Sequence, residues 1–403
     1  MRREISYSGA YMLIQQKAQD YGAEKNSVMH PLGDILIVGD TGTNNIMEIS
    51  NGSTVFVRTT FVGDATIGDQ FVGTPPLLGY NRVEVTGTGS VWNIGTVSDS
   101  RLEMGGYSPD NQLIITNGGR VNVSFIRFGT NLLLQSGEGR FNNILAVSGG
   151  NVFVTNAGSA ATLNVVAGSN VMLSGTMTVD KFIATNGALS VVAFHGGTIA
   201  TKGTMISNGS MTVVGNGASV ATLHLMGGTH SFADGLQINT NATLMGTGTV
   251  VDDTTVLGTL SPGNSAGIIY LGNLTLEPNA VFAVEVNGTN VGAEYDQADI
   301  AGFANISNSL LALTLGYTPV KGDTFTILDN DASDPVLGEF AGLANLMEFQ
   351  SGGSEFKIVY TGGTGNDIPL IVVPEPSSVT FLFATASLLL LRRRRSWRNG
   401  AVE

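Results

Sequence analysis

Cysteine is absent from the 403 residues. That excludes disulfides, thiolate metal sites and a cysteine nucleophile, and it removes cysteine use as a guide to redox compartment. Charge is scarce as well, at 13% of residues, about half the usual share for a globular domain. A disordered chain would be rich in charge and poor in apolar residues, whereas 42% of this one is hydrophobic, so disorder is excluded for most of it. Proline is limited to 11 residues and aromatics to 7%, while glycine reaches 54. Val, Ile, Thr and Leu fill short strands, and Gly and Asn supply the positive-φ positions of tight turns. The composition therefore predicts an all-β chain with many turns.

The formal charge is −13, and it is unevenly placed. Arg392, Arg393, Arg394, Arg395 and Arg398 against Glu403 give the last twelve residues a charge of +4, which leaves −17 on residues 1–391. A body that acidic repels phosphates, so nucleic acid is not an expected partner.

The C-terminus carries the most specific pattern. Pro374-Glu375-Pro376-Ser377-Ser378 leads into an apolar run, Val379 to Leu391, and then into Arg392 to Arg395. Thirteen helical residues span about 20 Å, short of the ~30 Å hydrocarbon core, so length alone favours a buried helix. Two features reverse that preference. The run is apolar on every side, at Phe381-Leu382-Phe383 and Leu388 to Leu391, and four adjacent arginines cannot be packed inside a protein. Arginine stems snorkel, extending the span, and their charge holds that end on the cytoplasmic side.

Val373-Pro374-Glu375-Pro376, the hydrophobic stretch and the terminal arginine cluster together resemble the PEP-CTERM sorting signal. The resemblance implies a short transmembrane helix over 377–391, transient residence in the inner membrane, and processing by an exosortase-type enzyme. The body would then be placed at the cell surface or outside the cell. The start of the chain departs from this pattern. Met1-Arg2-Arg3 runs into Glu4-Ile5-Ser6-Tyr7 and Gln15-Gln16-Lys17 without an apolar core, so no secretory signal is visible: either the true start lies upstream, which is the expectation, or the protein is not exported despite its tail.

The body repeats. LIVGDTGTNNIMEISNGSTV is answered, at an offset of 66, by LEMGGYSPDNQLIITNGGRV, with Asn45 on Asn111, Ile49 on Ile115, Asn51-Gly52 on Asn117-Gly118 and Val55 on Val121. Read as three units of 22, and beside Gly149, Gly168, Gly187, Gly209 and Gly228 at spacings of 19 to 22, this predicts a coil of about twenty residues in a parallel β-solenoid. Some eleven coils from Leu36 to Val250 would make a rod of about 50 Å. The rival architecture is antiparallel, because Asn-Gly between strands is also the mark of a hairpin. Val85-Thr86-Gly87-Thr88-Gly89-Ser90-Val91-Trp92 resembles the VTGxGSxW element of autotransporter-like repeats. LSPGNSAG (260–267), Tyr295 to Ile300 and Gly322 to Leu328 resemble the end module of autotransporter-associated and PEP-CTERM proteins. The resulting organisation is an N-terminal segment 1–34, solenoid repeats 35–251, a C-terminal β module over 252–370 that caps the last coil, and a sorting tail 371–403.

Chemistry is thinly represented. The four histidines, His30, His195, His224 and His230, form no metal-binding spacing, and neither a G-x-S-x-G elbow nor a Walker A loop occurs. Between Gly129 and Val250 the acids are Glu138, Asp180 and Asp234, too dispersed for a paired-carboxylate site. Asp252-Asp253 is a pair at the array boundary. Gly362-Gly363-Thr364-Gly365-Asn366-Asp367 matches six positions of a calcium-binding nonapeptide repeat, which makes Asp367 the calcium candidate, but it is a single copy with Pro369 at an apolar position. Asp329, Asp331 and Asp334 alternate without the Gly and Glu of an EF-hand. No cofactor and no catalytic residue is expected. The sequence predicts a structural or adhesive surface protein whose partner is an extracellular polysaccharide. A β-helix polysaccharide lyase or hydrolase, and an inert secreted spacer, are the alternatives.

Overall fold

The computed structural model describes residues 46–373, except 58, 63–79, 96–99, 106–109, 130–141 and 332–333, together with the strands Tyr11–Ile14, Val28–Met29 and Ile35–Val38. Pro374-Glu375-Pro376, expected as a sorting motif, the run 377–391, expected to cross the membrane, and Arg392 to Arg395 lie outside the described residues. Among the described residues no helix is long and apolar enough to cross a membrane. The one helical element there is a 3-10 turn, Gly187–Leu189.

The chain is all-β, as its composition predicts, and among the described residues 35 strands form one continuous sheet that is mostly parallel. Strand pairing follows three series. The first runs from Tyr11–Ile14 through Arg82–Thr86 and Gln112–Thr116 to Ala304–Asn305. The second runs from Val28–Met29 through Val91–Asn93 to Leu310–Leu315. The third runs from Ile35–Val38 through Phe125–Phe128 to Thr324–Asn330. Each series contains twelve levels, so the backbone passes repeatedly over three faces in the manner of a β-solenoid. Eleven steps of ~4.8 Å give a stack of roughly 50 Å.

Alternation within each strand builds the interior. Val83 and Val85, Leu113 and Ile115, and Leu145 and Val147 point inward and are fully buried, one above the other. Each such side chain contributes about 1.5–3 kcal/mol by leaving water. Polar residues also enter the interior, as a ladder at the start of the first face. Asn81 Nδ2 donates to Asn111 Oδ1 at 2.9 Å, and Asn111 Nδ2 donates to Asn143 Oδ1 at 3.0 Å. The backbone N–H groups of Asn81 and Asn111 donate to the same oxygens. The next level offers Gly168, where a Cβ would lie 2.4 Å from the Asn143 carbonyl oxygen, so the ladder stops there.

The corners explain why Asn-Gly does not make a hairpin here. Asn51 and Gly52 have φ of 55° and 75°, and Asn117 and Gly118 have 52° and 84°. Ser53 N donates to Ser50 O at 3.1 Å and Gly119 N to Thr116 O at 2.8 Å. Both turns have the positive φ pair of a type I′ turn, yet each carries the chain from the first face to the second. The strands on either side pair with the levels above and below rather than with each other. Gly89 of the VTGxGSxW element stacks between these turns, and Ser90 Oγ accepts from Gly52 N at 3.0 Å.

Register corrects the coil length. Ile49 lies opposite Val85, and Val85 opposite Ile115. The duplication therefore spans two coils of unequal length, Ile49 to Val85 and Val85 to Ile115, instead of three equal ones. Coils are as long as Thr59 to Arg101 and as short as Leu244 to Leu260. Only eight levels of the second face lie between Leu36 and Val250, fewer than the eleven that a uniform short period implies. The five spaced glycines also occupy different places: Gly149 follows the first face, Gly168 begins it, Gly187 and Gly209 lie between the third and first faces, and Gly228 precedes His230 on the third. Stacking fixes strand positions, while the corners absorb any number of residues.

Parallel winding continues beyond residue 251, through Thr254–Val256, Thr259–Pro262 and Ile268–Leu271 and on to Asn330. The antiparallel part begins where Thr324–Asn330 pairs with Ile368–Val372, which in turn pairs with the hairpin Glu348–Ser351 and Ser354–Ile358. Aromatic rings fill this end: Phe325 lies 5.4 Å from Tyr295 and 6.4 Å from Phe356, and Phe282 lies 6.1 Å from Phe340.

Asn170 breaks the inward pattern. It sits in the core between Leu145 and Val192, fully buried, with no hydrogen bond to its amide oxygen or nitrogen. An unpaired buried amide costs about 1–3 kcal/mol. Asn170→Leu is therefore expected to raise the midpoint of denaturant unfolding, with a gain of about 1–3 kcal/mol. A lower midpoint would show that the amide is hydrogen-bonded in solution.

Candidate functional site

Residues that look isolated in sequence meet at the C-terminal end of the stack. Tyr270, Asp299 and Asp329 are opposite one another on consecutive levels of the third face. Burial, with the charges of Asp331 and Asp329, pushes the Asp299 carboxyl up to about 6. Burial also raises Asp329, followed by the charges of Asp367 and Asp331 and a hydrogen bond with Asp367. The Asp367 carboxylate accepts from Asn330 N at 3.1 Å and Thr364 N at 3.3 Å. The calcium candidate Asp367 and the alternating Asp329 and Asp331 are thus parts of one acidic cluster. Asp334 contributes its backbone carbonyl to the side chains of Asn330 and Asn366 instead. Among the described residues no three His, Cys, Asp or Glu side chains are arranged to hold a metal ion.

The three end-module motifs also form a single knot. Asp296 is 2% exposed, and its carboxylate accepts from Gly267 N at 2.9 Å and Glu285 N at 2.8 Å. The side-chain amide nitrogen of Gln297 donates to Thr326 O at 2.9 Å, while its backbone N–H donates to Gly267 O at 3.0 Å. The ring of Tyr295 meets Phe325 edge-on. LSPGNSAG, Tyr295-Asp296 and Gly322 to Leu328 are therefore bound by hydrogen bonds and ring packing. Beside them is a cleft of about 170 Å³ lined by Ser261, Asn264, Ser265, Glu285 and Asp296.

The remaining acids hold corners. Asp180 is 1% exposed, pairs with Lys202 Nζ at 2.8 Å and accepts from Asn156 N and Ala161 N. Asp234 accepts from Gly209 N, Asp252 from Phe232 N and Asp253 from Asn273 Nδ2. Glu138 lies outside the described residues. His224 and His230, close in sequence, belong to the second and third faces and do not meet. His230 is buried, and since Gly227 O can only accept, at 2.9 Å, Nε2 carries the proton and Nδ1 accepts from Thr204 Oγ1 at 3.1 Å. Burial lowers the pKa of both histidines.

The feature that sequence inspection misses is on the second face. Thr176, Thr198, Thr222, Thr243 and Thr259 lie opposite one another on five consecutive levels, all half-buried and pointing outward. The unequal coils between these threonines hide the ladder from any fixed period. Asn151 extends it by one level. No protein-family model matches the chain, and no curated protein matches it.

Burial dominates at Asp296 and pushes its carboxyl up to about 7, against the two backbone donors that lower it and with the Glu285 charge adding to the rise. The folded state therefore holds this proton more tightly than the unfolded chain does. Its stabilising contribution is complete below the ordinary aspartate range and is lost as pH rises through about 7. Stability should fall between pH 4 and 7, by up to about 1.4 kcal/mol per pH unit from this group. In Asp296→Asn, urea midpoints across that range should lose that part of the slope, and an unchanged slope would assign it elsewhere.

Proposed function

We propose that this chain is an exported structural or adhesive protein of the cell surface or extracellular matrix. Its PEP-CTERM-like tail holds it in the inner membrane until an exosortase-type enzyme processes it. The observation that carries the binding part of this reading is the threonine ladder. Five hydroxyl-bearing side chains repeat at the ~4.8 Å strand spacing on an extended face, which suits many weak contacts with a polymer rather than enclosure of one small molecule. The polymer of choice is a polysaccharide, whose hydroxyls both donate and accept. Support for the export part is confined to Pro374, Glu375, Pro376, the apolar run and Arg392 to Arg395 in the sequence.

A glycan-processing β-helix is the second reading. It is favoured by the convergence of Asp299, Asp329, Asp331 and Asp367 from separate chain segments, with a carboxyl raised into the range of a general acid. Tyr270 flanks the cluster and is 42% exposed.

One set of measurements separates the readings. Thr198→Val, Thr222→Val and Thr243→Val combined should reduce retention on immobilised matrix polysaccharide at least several-fold with the fold intact, and unchanged retention would remove the ladder from the proposal. Polysaccharide incubated with the protein should yield no new reducing ends or unsaturated products. Turnover abolished by Asp329→Asn would instead bring the enzyme reading forward. For export, the protein recovered from the surface of an exosortase-bearing host, expressed with a signal peptide, should lack everything beyond the PEP region. A mass matching a chain that still ends at Glu403 would overturn the sorting proposal.

A further inference from the structure

Asp334-Pro335 is the only Asp-Pro pair in the sequence. Two chemical features meet in it. The aspartate carboxyl can reach its own backbone carbonyl carbon by closing a five-membered ring, and the prolyl nitrogen, part of a tertiary amide, leaves as a secondary amine. Peptide bonds of this kind are accordingly among the first to break in acid. What the fold adds is a pair of donors on the oxygen of that bond.

Asp334 is half-buried and Pro335 exposed, a few residues beyond the end of Thr324–Asn330. The Asp334 carbonyl oxygen accepts from Asn330 Nδ2 at 2.9 Å and from Asn366 Nδ2 at 3.1 Å, so both of its lone pairs are engaged by N–H groups. The two donors are held in the interior, Asn330 at 1% exposure and Asn366 at 5%. Each is fixed from another side. Asn330 N donates to Asp367 Oδ1 at 3.1 Å, and Asn366 Oδ1 accepts from Thr364 Oγ1 at 2.6 Å. The turn from Gly362 to Asp367, closed by a bridge between its ends, therefore carries one donor and anchors the other. Asn330 Oδ1 has no hydrogen-bond partner among the described residues. Turning that amide over would set oxygen against oxygen, so its orientation serves Asp334 and leaves its own oxygen unsatisfied. Two buried amide donors within about 2.7–3.1 Å of one carbonyl oxygen are the arrangement that stabilises an oxyanion.

We propose that the chain cuts its own backbone between Asp334 and Pro335. The Asp334 carboxyl oxygen bonds to the backbone carbonyl carbon of the same residue, and the carbonyl oxygen becomes an oxyanion held by Asn330 and Asn366. Collapse breaks the C–N bond. The electron pair goes to the Pro335 nitrogen, which takes up the proton that the carboxyl released. A cyclic anhydride remains on Asp334, and water opens it to two carboxyl groups. The sum is the addition of one water, with no redox change and no cofactor.

Scission leaves the fold in place. Residues 335–403 include Ile368–Val372, which pairs with Thr324–Asn330 and with the hairpin Glu348–Ser351 and Ser354–Ile358, so the pieces come apart only on denaturation. The apolar run and Arg392 to Arg395 would then be joined to the body by strand pairing alone. That consequence rests on the export reading above, whereas the scission does not.

The test uses the full-length protein, incubated folded in mildly acidic buffer and read by denaturing gel, intact mass and N-terminal sequencing. Two fragments are expected, 1–334 and 335–403, the second beginning at Pro335. In concentrated urea at the same pH the Asp-Pro bond persists but the two amides no longer hold its oxygen, and the cut should be at least about ten-fold slower. Asp334→Ala should stay whole. Asn366→Ala, with its β-sheet circular dichroism unchanged, should also slow the cut at least about ten-fold, since loss of one oxyanion donor in an enzyme costs about 10²–10³-fold. No scission of the folded protein, equal rates in buffer and urea, a cut at another bond, or an unaffected rate in folded Asn366→Ala overturns the proposal. If Asn366→Ala fails to fold, the urea comparison decides by itself.

Discussion

Everything in this molecule depends on one repeated contact, a strand bonded in parallel register to the strand one coil away. That contact fixes an axial step of ~4.8 Å and stacks each side chain on its counterpart. Most inward positions are therefore apolar or paired with their own kind, as Val83 over Leu113 and Asn81 over Asn111 illustrate, with Asn170 an exception. Outward positions become columns. The threonine ladder and the Tyr270, Asp299 and Asp329 series are products of the same rule. In one case stacking produces a neutral surface that is easily solvated, and in the other it buries neighbouring carboxylates, whose burial and then mutual charge raise their affinity for protons.

Repetition supplies no natural end. A parallel stack leaves a row of unpaired backbone groups and an apolar cross-section at its last coil. The C-terminal module resolves this on two faces, with the antiparallel strand over Thr324–Asn330 and the aromatic group around Phe325 and Phe340. Asp296 ties that closure to the preceding coil by accepting at once from Gly267 in a loop and from Glu285 in the strand Val281–Val286. On the second face no further strand pairs with Leu310–Leu315 among the described residues, and Ser351 Oγ donates to its Leu313 carbonyl.

Much of this is legible in the sequence because turn chemistry and strand alternation are local. Asn51-Gly52 and Asn117-Gly118 mark corners, Val121 and Val123 mark an inward row, and the all-β class follows from composition. The coil length is not legible, because nothing local states how many residues a corner contains. The likeness between segments 38–63 and 104–129 spans two coils, and dividing it by three produces a plausible but false period. The acidic cluster escapes for a related reason. Asp299, Asp329 and Asp367 are widely separated along the chain, and only register shows that they adjoin. The Asn-Gly pair is ambiguous by itself, since the same positive-φ turn serves a hairpin or a solenoid corner, and the choice is made by the strands in the levels above and below.

The disparity between coils as short as Leu244 to Leu260 and as long as Thr59 to Arg101 has a consequence for how such a chain changes over time. An inserted or deleted residue inside a strand would turn every following side chain of that strand to the wrong face. At a corner the same event merely lengthens or shortens a loop and leaves the levels above and below undisturbed. Innovation is thereby channelled to the corners, where appendages can be gained, enlarged or discarded while the shaft that displays them stays the same.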